Sequence, residues 1–67
     1  MSEVAEAINR LAEARLFDDR LTILDARLKL AKCYLSHGYH IQAEKHLEIL
    51  SRENAYWRAE AARLVKN

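Results

Sequence analysis

Four side chains in this 67-residue sequence carry metal-ligating chemistry: Cys33, His37, His40 and His46. A thiolate with imidazoles is the donor set that zinc and its neighbours prefer. Cys33 and His37 stand four residues apart, so on a helix they share one face at a workable ligand spacing. No paired C-x-x-C motif accompanies them, and histidines around a helix-ending glycine such as Gly38 also serve as polar turn residues. A nucleophilic role for Cys33 would need a pocket that stabilises its thiolate and an oxyanion hole. No glycine-rich loop is present to build one, and cysteine is among the most often buried residue types. The expectation is therefore no enzyme, no catalytic residue and no cofactor, with a metal-binding helical regulator built on Cys33 and the nearby histidines as the alternative reading.

Charge and length narrow the classes further. Eleven basic residues against ten acidic ones give a net charge of +1. Arg10, Arg15, Arg20 and Arg27 are interleaved with acids rather than gathered into the basic stripe of a nucleic-acid binder. No nucleic-acid partner is expected. No apolar stretch approaches the roughly twenty residues of a membrane span, and the N-terminus carries Ser2, Glu3 and Glu6 where a targeting segment would be basic then apolar. The expectation is a cytoplasmic chain with no membrane association.

The elements that must position these residues are helices. The sequence holds no proline and one glycine, while all-β folds spend both on turns. Ser2 is placed to cap a first helix whose apolar residues Val4, Ile8 and Leu11 recur at helical spacing. The run Leu16–Arg20, with two adjacent aspartates, reads as a junction. In a second helix Leu24, Leu28, Ala31 and Leu35 form one stripe, and Ile23, Leu30 and Tyr34 form another beside it. Such a helix must be covered on two sides. Asp25, Lys29, Lys32 and Ser36 are left for solvent or a ligand. Gly38 ends this helix through a left-handed residue.

A third helix follows from about His40 to Arg52, with Ile41, Ala43, Leu47 and Leu50 facing inward. Asn54 is placed to cap a fourth, carrying Tyr56, Trp57, Ala61, Leu64 and Val65, with Arg63 and Lys66 in its last turn. A second layout competes. Ala14, Phe17, Leu21, Leu24, Leu28, Ala31 and Leu35 follow steps of three and four, a heptad pattern that would fuse the first two helices into one rod.

Offsetting the sequence by 36 residues aligns Ala7 with Ala43, Leu11 with Leu47, Ala14 with Leu50 and Arg27-Leu28 with Arg63-Leu64. Periods of 20 to 50 residues mark helical repeats. Leu30, Ala31, Tyr34, Gly38, Ala43 and Leu47 fall on the consensus of the tetratricopeptide repeat, and the segment resembles that family. Arg27 stands in the family's tryptophan slot, Ala55 in its proline slot, and His40 where an aromatic residue usually follows the turn. The resemblance implies an all-α fold, a single domain over 1–67, with one antiparallel helical hairpin and a flanking helix on each side.

The same resemblance implies that the second helix lines a groove for a peptide or helix. Its positions would be Asp25, Leu28, Lys32, Leu35 and Ser36, with Leu64 the counterpart of Leu28. Leu28 and Leu35 are equally well placed to be core. Trp57 has two readings, a plug closing the core or an anchor for a partner. A solenoid needs about three repeats for stability, so a protein partner or self-association is expected, in an adaptor, scaffold or small-chaperone role.

Overall fold

The computed structural model describes residues 2–17 and 19–65, and every regular element among them is a helix. Helix α1 spans Glu3–Phe17. Its free N-terminal amides are met by Ser2, whose Oγ accepts from the Val4 N–H at 3.2 Å, and Glu3 and Glu6 occupy the positive end of the dipole. Helix α2 spans Arg20–Ser36, preceded by Asp19 in an extended conformation. The Asp19 carboxylate accepts from the Thr22 hydroxyl at 2.6 Å, which fixes the first turn.

Gly38 ends α2 with φ of +82°. The Tyr39 N–H donates to the Tyr34 carbonyl at 2.8 Å and the Gly38 N–H to that of Leu35 at 3.1 Å. Those two bonds define a Schellman turn, and the Tyr34 and Tyr39 rings meet edge to face at 6.1 Å across it. A Cβ at Gly38 would touch nothing within 4 Å, so only backbone strain opposes a larger residue. Gly38→Ala is expected to cost about 1–2 kcal/mol, the left-handed penalty of an L-residue, read as a lower urea midpoint with an unchanged slope.

Helix α3 spans His40–Ser51 and α4 spans Ala55–Val65. Asn54 Oδ1 accepts from the Trp57 N–H at 3.2 Å, and Arg58 Nε donates to the Ser51 carbonyl at 3.2 Å, satisfying groups left open at the two helix ends. Lys66, expected in the last turn, lies outside the described residues.

Each helix packs on the next in order: α1 on α2, α2 on α3, α3 on α4. Leu24, Leu28, Ala31, Leu47, Leu50, Trp57 and Ala61 form one buried cluster drawn from α2, α3 and α4. Leu30, on the second stripe of α2, is buried outside that cluster, as are Leu11 and Ala14 of α1. So α2 is covered on two sides.

The junction read in Leu16–Arg20 is present, with Asp18 outside the described residues: α1 ends at Phe17, α2 begins at Arg20 and the two helices pack together, so the competing fused rod does not form. Two apolar readings are corrected. The heptad residues nearest the break, Phe17 and Leu21, are consequently exposed. Ile41 also faces outward. It sits two residues before Ala43, about 200° around the helix from the buried stripe Ala43–Leu47–Leu50.

The radius of gyration, 11.3 Å, is close to the roughly 11 Å of a compact chain of this length. The shape is flattened, 29 × 26 × 13 Å. Its accessible surface is 4909 Å², against about 4,400 Å² for a monomer of this mass. Ile8, Leu16, Phe17, Leu21, Ile41, Ile49, Tyr56 and Val65 are all exposed.

Candidate functional site

The last turns of α2 and α4 and the first half of α3 line a trough of about 520 Å³. Leu35, Leu47, Leu64 and Val65 give it an apolar lining, and Lys32, Ser36, His40 and Glu44 stand around it. A second hollow of about 440 Å³ shares Glu44, Leu47 and Val65, and continues over α3 and α4 past Ala61 and Ala62. Glu48, Ser51 and Arg58 border that extension. The result is two adjoining, open apolar hollows with both signs of charge on their edges.

The residues expected in a groove are divided by this geometry. Lys32, Leu35, Ser36 and Leu64 come together in the trough. Leu28, on the same stripe as Leu35, is buried in the core cluster. Asp25 lies around the helix, pairing with Lys29 at 3.0 Å and bordering a separate hollow of about 300 Å³ between α1 and α2. Trp57 is 6% exposed in the core cluster, so it plugs the bundle. Its neighbour Tyr56 is exposed, with its ring edge-on to the indole at 4.9 Å. The trough also draws in His40, Glu44, Leu47 and Val65, which the sequence reading did not assign to a groove. The signal for His40 and Glu44 was their four-residue spacing at the start of α3, beside the Ala43–Leu47 stripe.

The histidines separate too. His46 is half-buried between α2 and α3. Its ring stacks on Tyr34 at 5.9 Å, and Arg27 Nη1 lies 3.0 Å from His46 Nδ1. A guanidinium only donates, so Nδ1 is the acceptor and the neutral ring carries its proton on Nε2. Burial, then the Arg27 cation, holds the His46 pKa below its ordinary 6.5. Burial lowers the Arg27 pKa as well; the Arg15 cation adds to this and Glu53 opposes it. Among the described residues the buried Arg27 Nε has no hydrogen-bond partner.

A histidine whose folded-state pKa is depressed binds more protons in the unfolded chain. The stability it supports is intact above about pH 6.5 and is lost as pH falls from there through the lowered folded value. Melting temperatures measured from pH 8 to pH 5 should therefore fall on the acid side. The drop should be smaller in His46→Gln, whose carbonyl still accepts from Arg27 and does not titrate.

Arg20 pairs with Glu53, Arg52 with Glu48 at 2.6 Å and Arg63 with Glu60 at 3.0 Å, which leaves little concentrated positive field. Among the described residues, no helix is long and apolar enough to cross a membrane. No protein-family model matches the chain, and no curated protein sequence or solved structure matches it either.

Proposed function

We propose that this chain is a non-enzymatic protein-interaction module whose α2–α3–α4 trough holds one apolar face of a helix, supplied by a second copy when no other partner is present. The observation that carries this is the trough itself, floored by Leu35, Leu47, Leu64 and Val65 and edged by Lys32, Glu44, Glu48 and Arg58. Helix-in-groove recognition uses anchors at i, i+3 or i+4, and i+7. The chain carries such a set. Ala5, Ile8, Ala12 and Leu16 recur on α1 at helical steps, and all four are exposed.

A mixed-sign rim suits the mixed-sign helix faces of this near-neutral chain, and exposed Ile8 and Leu16 are apolar side chains that association would cover. A tetratricopeptide-like reading of the α2–α3 hairpin is supported by Ala31 and Ala43. Both are fully buried there, where small side chains let two helices approach.

Sedimentation over a wide concentration range tests the proposal. The wild-type chain should move from monomer to a larger species as concentration rises, and Ile8→Asp with Leu16→Asp should remain at 7.8 kDa. A wild-type chain that stays monomeric throughout would overturn it.

A further inference from the structure

We infer that Glu3, Cys33 and His37 form a divalent-metal site, with zinc(II) the ion that its donors suit. The three residues come from the start of α1 and the end of α2, and their ligand atoms lie within 4.8 Å of one another. A carboxylate, a thiolate and an imidazole are each ordinary zinc ligands, and three protein ligands leave one tetrahedral position for water. Zinc bond lengths of about 2.0–2.3 Å place neighbouring donors roughly 3.3–3.6 Å apart. Closing the triad therefore takes about 1 Å of side-chain rotation, which Glu3 and His37 are exposed enough to make.

The imidazole has polar partners at the end of α2. His37 Nδ1 lies 2.9 Å from the Cys33 carbonyl oxygen and 3.2 Å from Ser36 Oγ. Donating to that carbonyl puts the proton on Nδ1 and leaves the Nε2 lone pair free; Nδ1 is the ring nitrogen nearer Cys33 Sγ, so the ring must turn to bring Nε2 to the metal. Cys33 is half-buried and reduced, with its Sγ 3.9 Å from His37 Nδ1. The Ser2 cap fixes the helix start that carries Glu3.

Binding exchanges the Cys33 thiol proton for the metal and releases that proton to solvent. The ion would pin the first turn of α1 to the last turn of α2, a staple in a chain whose single cysteine allows no internal disulfide. His40, in the trough, and His46, against Arg27, take no part.

Calorimetric titration of the reduced, chelator-stripped full chain with zinc chloride tests this, with cobalt(II) absorption as the second readout. One zinc per chain is expected, together with a thiolate-to-cobalt charge-transfer band. Cys33→Ser should abolish the band, and Cys33→Ser and His37→Asn should each weaken zinc binding by at least about a hundredfold. Glu3→Gln should weaken it by about tenfold, and His40→Gln should leave it unchanged. Glu3 is exposed at a helix start, so its variant reports on the ligand even if the Cys33 variant folds poorly. Absence of saturable zinc binding, wild-type affinity in a helical Cys33→Ser chain, or an unaffected Glu3→Gln would each overturn the assignment.

Discussion

Trp57→Ala should remove most of the stability of this protein. The indole is buried with Leu24, Leu28, Ala31, Leu47, Leu50 and Ala61, so its loss opens a cavity shared by three helices. Truncating a buried tryptophan costs about 3–5 kcal/mol. A chain of 67 residues has roughly 3–10 kcal/mol in total at typical values per residue. The expected result is a chain largely unfolded at 37 °C, read as loss of helical circular dichroism. A Trp57→Ala chain that keeps its melting temperature would show the side chain to be dispensable to the core and would reopen its role as a partner anchor.

The second large effect separates floor from wall on one stripe of α2. Leu28 and Leu35 are seven residues apart, but the Trp57 cluster covers Leu28 and leaves Leu35 at the open end, half-buried. Leu28→Ala should cost about 2–5 kcal/mol of folding stability. Leu35→Ser combined with Leu64→Ser should keep most of the helicity and abolish association. Each side chain, if an interface anchor, contributes about 2 kcal/mol, or roughly thirtyfold in affinity. Circular dichroism read beside sedimentation distinguishes the two outcomes. Collapse of helicity in the Leu35/Leu64 variant would place those residues in the core and deny them a binding role.

The helix boundaries were legible because local chemistry sets them. Ser2 and Asn54 cap as their side chains permit, and Gly38 adopts the one conformation that ends α2 without strain. The two-sided burial of α2 followed from two adjacent apolar stripes on a single helix. The break between α1 and α2 was legible in the two aspartates of the Leu16–Arg20 run, although Phe17 and Leu21 extend a heptad that offered a fused rod as the alternative. Ile41 misled because it is apolar and close in sequence to the buried stripe, yet lies on the opposite side of α3.

The site was legible only in part, for a physical reason. A leucine of α2 becomes core or trough according to how far α4, packed on α3, covers the α2 stripe, and that placement is a long-range event. Lys32, Leu35, Ser36 and Leu64 line one hollow because they lie at the same end of the bundle. Asp25 was placed with them by analogy of helix face, but it lies where α1 covers α2. The approach of Glu3 to Cys33 and His37 spans thirty residues or more and left no local sign.

The proposed seating of a partner helix in the apolar trough is open to methyl NMR of Leu35, Leu47, Leu64 and Val65, recorded as the wild-type chain is diluted. Resonances at those four residues, together with Ile8 on the α1 stripe, should shift with concentration while those of buried Leu50 and exposed Ile41 stay fixed. Spectra that do not change over the range, or shifts confined to Ile41 and Leu21, would contradict it.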